Sequence, residues 1–252
     1  VIEKPKDWKP LVYCWRGGNR SGALATILGA IGFRVTLIEG GYKAWRAALV
    51  DNLPQRAEAL RYRVICGPTG SGKTRLLSSV LGHLPGQPQP SQKRFDSLVW
   101  QALRQMDPTR LVYVESESKK VGNLRVPDAL MDCMRASECV DLQLSDEERV
   151  ALLLEDYAHF SSDNTLFCQR LEALTELRGK AVVAEWCRKV MEGRTPDVVL
   201  ELLNTHYDPM YKQSIAKNFV RFPRALSIQL KNRQADALAA AAREIVRSET
   251  QA

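Results

Sequence analysis

The chain has 252 residues, long enough for one large or two ordinary domains that each bury a core. It is 45% hydrophobic and 26% charged, with a net charge of +7 and an isoelectric point near 9.2, a balance that suits a polyanionic partner. No apolar run nears the ~20 residues of a membrane span, Val1 to Pro5 shows no secretory-signal pattern, and six cysteines without a C-x-x-C pair argue against a zinc ribbon or thioredoxin site and for reduced thiols in a cytoplasm.

In chain order, the first predicted element is a short strand, Leu11 to Cys14. A glycine- and arginine-containing loop follows, Trp15-Arg16-Gly17-Gly18-Asn19-Arg20, and a helical pattern runs from Ser21 to Gly32. Backbone N–H groups of such a loop, backed by a helix N-terminus, converge on one point and favour negative charge there. A thiol at that point ionises readily, because the thiolate is the form this field stabilises. A buried, inert strand-end cysteine is the plainer alternative, but Arg16 and Arg20 fit poorly with a dry core. The spacing Cys14 to Arg20 is C-x5-R, so attack on phosphate and transport of a sulfur or selenium atom both remain open chemistries.

A second strand is expected over Phe33 to Glu39, stopped by Gly40-Gly41, with a short helix over Tyr42 to Ala47. The polar stretch Asp51 to Arg56, with Pro54, reads as a linker, dividing the chain into residues 1–56 and 57–252. The first piece is about half a normal domain, which implies upstream residues that this sequence does not contain.

A third strand, Tyr62 to Cys66, feeds directly into Gly67-Pro68-Thr69-Gly70-Ser71-Gly72-Lys73-Thr74. This is G-x-x-x-x-G-K-T between a strand and a helical segment, the context that a phosphate-binding loop requires. Gly67, Gly70, Ser71 and Gly72 let the backbone wrap a diphosphate, Lys73 reaches its outer oxygens, and the Thr74 hydroxyl is placed to hold Mg²⁺. The helix after the loop meets Leu84-Pro85 with no returning strand, which implies residues missing near Leu77-Ser78.

A helix is predicted from Ser91 to Met106, then a buried-type strand from Leu111 to Glu115. Glu115, and Glu117 beyond it, stand where a carboxylate orients water or metal. A strand over Cys139 to Leu142 precedes a capped helix at Ser145, and the rest reads as mostly helical. No metal-ligand cluster is read in the chain. Lys93, Arg94, Lys119, Lys120 and Arg125, with later cations beside Tyr207, Tyr211, Phe219 and Phe222, suit phosphate contact and base stacking with RNA. His206 reads as part of a packed turn.

Tyr13-Cys14-Trp15-Arg16-Gly17-Gly18-Asn19-Arg20-Ser21-Gly22 together with Glu39-Gly40-Gly41-Tyr42-Lys43-Ala44-Trp45 resembles the active-site half of a rhodanese domain. Its fusion to a P-loop segment carrying Gln89-Pro90-Ser91-Gln92-Lys93-Arg94-Phe95 and Val114-Glu115-Ser116-Glu117-Ser118 resembles the bacterial tRNA 2-selenouridine synthase family. The resemblance implies an α/β fold: a partial rhodanese-like domain, then a P-loop NTPase-like domain with a helical C-terminal region. It implies a cytoplasmic transferase that replaces sulfur by selenium in the wobble 2-thiouridine of tRNA. Selenophosphate is the donor, and the route passes through an S-geranylated uridine made from geranyl diphosphate. By the same resemblance Cys14 serves the selenation step, Arg16 and Arg20 hold its anion, and the P-loop holds the geranyl donor's diphosphate. The partners implied are the tRNA anticodon region and a selenophosphate synthetase. The competing reading is a P-loop kinase or NTPase with a degenerate rhodanese module that only binds. A third is a tRNA-binding protein without activity.

Overall fold

The computed structural model describes residues 4–77, 89–116, 118–158 and 163–250. Glu117 and the Leu77-Ser78 junction beyond Leu77 therefore lie outside the described residues.

The N-terminal part is small. Strand β1 (Leu11–Val12) pairs in parallel with β2 (Thr36–Leu37), and helix α1 (Asn19–Ala30) connects them. The strands are shorter than their apolar runs predict, since only these residues find ladder partners. Helix α2 (Gly41–Glu58) then runs unbroken through Pro54. The stretch Asp51 to Arg56 is thus helix and not the expected linker, and the short helix over Tyr42 to Ala47 is its first part. Leu49, Leu53 and Ala57, one helical turn apart, are buried on its inner face and tie the segment down.

The main sheet has four parallel strands in the order β4-β3-β7-β8, with β3 (Arg61–Cys66), β4 (Leu111–Glu115), β7 (Glu138–Gln143) and β8 (Leu226–Gln229). Its strands alternate faces as the pleat demands. Ile65, Val140, Leu142 and Ile228 pack on one side with Leu152, Ala241 and Ile245 of helices α6 (Asp146–Asp156) and α12 (Ala235–Thr250). Val64, Cys66 and Cys139 pack on the other with Met131 and Met134 of α5 (Asp128–Arg135) and with Ile215 of α11 (Asp208–Asn218). Between β3 and β4 come α3 (Lys73–Leu77, as far as described) and α4 (Gln92–Gln105). Ser91 caps α4 through its side-chain oxygen. The hairpin β5 (Lys120–Val121) and β6 (Leu124–Arg125) precedes α5.

Helices α7 (Asn164–Glu172), α8 (Thr175–Arg178), α9 (Lys180–Met191) and α10 (Thr195–Leu202) form a separate layer around Trp186, which is 1% exposed. The C-terminal region is mostly helical as expected, and it also contributes the strand β8. That strand is short, and its one fully covered side chain, Ile228, gives no alternating pattern. The fold is mixed α/β, with helices on both faces of a parallel sheet.

Candidate functional site

Two anion cradles stand at strand ends. The first is the Cys14 loop. Cys14 Sγ accepts the Gly18 N–H at 3.2 Å and the Ser21 hydroxyl at 3.2 Å. Ser21, on the first turn of α1, is buried, and its hydroxyl also lies 3.0 Å from the Gly18 carbonyl. A hydroxyl has one proton, so it turns from that carbonyl to the sulfur when the sulfur is charged. The Ser21 hydroxyl is the largest cause that brings the Cys14 thiol down from 9.0 to about 6, and N–H groups of the loop add to it against partial burial. At neutral pH the sulfur is therefore a thiolate.

The loop is braced from below. Gly40 and Gly41 take left-handed backbone angles, φ 68° and 63°, and deliver the Tyr42 N–H to the Cys14 carbonyl at 2.9 Å and the Lys43 N–H to that of Trp15 at 3.0 Å. A Cβ on Gly41 would meet the Cys14 carbonyl oxygen at 2.1 Å, so the pair of glycines is a contact requirement. Trp15 stacks on Tyr42 with ring centroids 5.2 Å apart, and Tyr42 leans on Trp45. Cys14, Arg20, Ser21, Tyr13, Trp15 and Leu24 line an open pocket of about 290 Å³. Arg16 and Arg20 are exposed and form no ion pair among the described residues, which leaves both free for an anion.

The second cradle is the P-loop at the end of β3. Gly67, Gly70 and Gly72 have φ of 146°, 79° and 84°, angles that side chains beyond glycine rarely adopt. Lys73 Nζ donates to the Gly67 carbonyl at 2.7 Å and lies 3.7 Å from Glu115 Oε1. Thr74 Oγ1 donates to Glu115 Oε2 at 2.9 Å. Glu115 thus joins the loop at the end of the adjacent strand. This hydroxyl and carboxylate are hard oxygen donors of the kind Mg²⁺ accepts. Among the described residues, no three His, Cys, Asp or Glu side chains are gathered to hold a metal by themselves.

Two partners of the P-loop carry no signal in the sequence. Arg149 is 3% exposed and donates to the Thr69 carbonyl at 2.9 Å while pairing with Asp208 at 2.6 Å and Asp146 at 2.9 Å. Tyr211 accepts the Gly67 N–H at 2.7 Å, and its ring lies 6.0 Å from Lys73 Nζ. Burial is the main cause that raises the Tyr211 hydroxyl well above its usual range. Both come from helices distant in sequence, so spacing could not reveal them.

Of the expected RNA contacts, Lys93, Arg94, Lys120 and Arg125 are exposed, whereas Lys119 is paired with Asp128 at 2.6 Å. Phe219 is buried and Phe222 and Tyr211 pack beside it, so these rings serve the core and not base stacking. His206 is buried in the π-helical turn Leu203–Tyr207, with Arg178 Nη2 at 2.9 Å from its Nδ1. A cleft of about 450 Å³ lies at the opposite ends of the strands, lined by Arg61, Arg63, Glu138 and Arg221 among others, away from both cradles. No helix among the described residues is long and apolar enough to cross a membrane.

Two stretches of the chain match known families. Residues 1–48 match the family model described as rhodanese-like domain, and residues 78–181 match that described as tRNA 2-selenouridine synthase AAA domain. The chain is 30% identical to a tRNA 2-selenouridine synthase of Shewanella loihica over 82% of its own length and 67% of the relative's. It is 32% identical to that of Aeromonas salmonicida over 80% and 66%. With that of Cupriavidus necator the identity is 36% over 58% and 44%. The chain spans between about half and two thirds of the length of the curated relatives it matches. No solved structure matches.

Proposed function

The chain belongs to the tRNA 2-selenouridine synthase family, and from that premise we propose that it exchanges sulfur for selenium at the wobble 2-thiouridine of tRNA in two steps. The observation that carries this reading is the pairing, in one chain, of a thiolate cradle at Cys14 with a P-loop whose Lys73 and Thr74 converge on Glu115.

In the first step geranyl diphosphate lies with its diphosphate along the P-loop. The thiocarbonyl sulfur of the uridine attacks the first carbon of the geranyl group, the C–O bond breaks, and diphosphate leaves. Lys73 and the loop N–H groups stabilise the charge that gathers on the leaving oxygens. Thr74 and Glu115 would hold a Mg²⁺ ion, which would offset the same charge. The buried Arg149 and Tyr211 keep the loop in shape.

In the second step the S-geranyl group is the leaving group. Selenophosphate enters the Cys14 cradle, where Arg16 and Arg20 meet its anion, the Cys14 thiolate attacks phosphorus, and the P–Se bond breaks to release selenide. Water takes the phosphoryl group. Selenide then adds at C2, and geranyl thiolate departs. The loop is one residue longer than a C-x4-R loop, which leaves room for the larger selenium atom. A selenophosphate synthetase supplies the donor, and the reaction belongs in the cytoplasm where tRNA and reduced thiols coexist.

The test is direct. Incubation with 2-thiolated tRNA, geranyl diphosphate and selenophosphate is expected to yield nucleosides with the masses of geranylated and then selenated uridine. Unchanged nucleoside mass with all three present overturns the reading in favour of simple tRNA binding.

A further inference from the structure

The β5–β6 hairpin is held in an unusual way. Arg125 N–H donates to Gln92 Oε1 at 2.9 Å, and Gln92 Nε2 donates back to the Arg125 carbonyl at 2.8 Å. Gln89 repeats the pattern, accepting from the Asn123 N–H at 2.9 Å and donating to the Val121 carbonyl at 3.0 Å. A lone two-stranded hairpin is marginal in water, and these side-chain amides stand in for a third strand. Gly122, at φ 59°, is required for the approach, since a Cβ there would meet the Gln89 amide at 2.5 Å. Gln92 also donates to Asp96 at 2.7 Å, and Asp96 pairs with Arg46 of α2. One polar chain thus runs from the hairpin to the helix that starts beneath the Cys14 loop.

The clamp fixes charge as well as backbone. Lys93 and Arg94 at the start of α4, with Lys120 and Arg125 on the hairpin, are exposed and form no ion pair among the described residues. By contrast, the exposed Arg188, Arg194 and Arg221 each hold a carboxylate. The nearby Asp96 and Asp128 are already taken, by Arg46 and Lys119. Lys93 Nζ lies 5.9 Å from the Trp15 ring, and Lys120 follows closely on the strand that ends in Glu115.

We propose that Gln89 and Gln92 are positioning residues that lock the hairpin to α4, forming a ridge of four cations that binds the tRNA phosphate backbone between the two cradles. The inference rests on the tRNA reading above and adds the surface that holds the substrate for both steps. A flexible hairpin carrying the same charges would bear an ordering cost on binding, which the amide clamp has met in advance.

Binding of a fluorescent tRNA transcript is measured against salt concentration. Lys120→Ala with Arg125→Ala leaves the clamp intact, because Gln92 grips the Arg125 backbone. That pair should lower the slope of log K against log salt by about 0.7 to 0.9 per cation. Gln89→Ala with Gln92→Ala removes no charge, yet is expected to lower the slope by a similar amount, and combining all four changes should add little further loss. A role in stability alone would shift the melting temperature and leave the slope unchanged. An unchanged slope in the folded glutamine variant overturns the proposal while the tRNA reading stands. If that variant does not fold, Gln89→Ala alone removes two of the four amide bonds, and its slope decides between the same two outcomes. Failure of the unaltered chain to bind tRNA overturns the functional reading, and the ridge with it.

Discussion

The Cys14 thiol's lowered pKa is due to one neighbour above all. The Ser21 hydroxyl donates to the sulfur from a buried position, and the Gly18 N–H adds a second donor. These bonds favour the charged form, so the thiol's pKa falls and thiolate predominates above pH about 6. The rate of alkylation by iodoacetamide should therefore rise through that pH and level off above it. In Ser21→Ala the midpoint is expected to move up towards 9.0, and an unmoved midpoint would show that Ser21 does not activate the thiol. At the second cradle, Lys73→Ala is expected to abolish geranylation, read as the loss of the geranylated nucleoside mass. Normal transfer by that variant would take the P-loop out of the chemistry. The loops that hold Cys14 and Lys73 are legible in the sequence because each is contiguous and its glycines announce the backbone shape. Ser21 lies within the same run, yet its role depends on how the first turn of α1 aims its hydroxyl, and a sequence does not display that.

Elements explain what motif reading leaves out. The P-loop is held from the far side by Arg149 on α6 and by Asp208 and Tyr211 on α11, contacts made across 59 or more residues of chain. Arg149→Ala would leave the largely buried Asp208 without its partner. Breaking such a pair costs about 3 to 5 kcal/mol, which urea unfolding measures directly. A loss below about 1 kcal/mol would show that the network does not hold the loop. The Gly40-Gly41 turn illustrates the opposite case. Its two glycines are visible in the sequence, and the structure supplies the reason, a carbonyl 2.1 Å from where a side chain would begin. Gly41→Ala should disturb the Cys14 loop and raise the alkylation midpoint as Ser21→Ala does, even though it touches no group on the sulfur. The helix boundary is not legible for a similar physical reason. Asp51 to Arg56 looks like a linker by polarity, yet Leu49, Leu53 and Ala57 keep a helical stripe through it, and burial of that stripe overrides Pro54. Strand β8 is equally hidden because it borrows its order from β7, pairing Val140 to Leu226 and Gln143 to Gln229, and not from its own residues.

At the scale of the whole molecule, two candidate anion sites share one chain and are joined through α2 and α4. The joint has an apolar part, where Ala57 of α2 clusters with Val99 and Leu103 of α4, and a polar part: Arg46 reaches Asp96 and the Lys93 carbonyl, and Trp100 Nε1 donates to Asn52 at 3.3 Å. The rhodanese-like match ends at residue 48 and the synthase match begins at residue 78, so the P-loop itself lies between them. Its assignment therefore rests on the loop's own geometry. The function proposed above divides the labour between them: one site would install a leaving group and the other would replace it. The most direct measurement is the nucleoside mass profile of 2-thiolated tRNA incubated with Cys14→Ser, geranyl diphosphate and selenophosphate. Geranylated uridine is expected to accumulate, with no selenated uridine formed. Selenation by this variant at the level of the unaltered chain would contradict the two-site division.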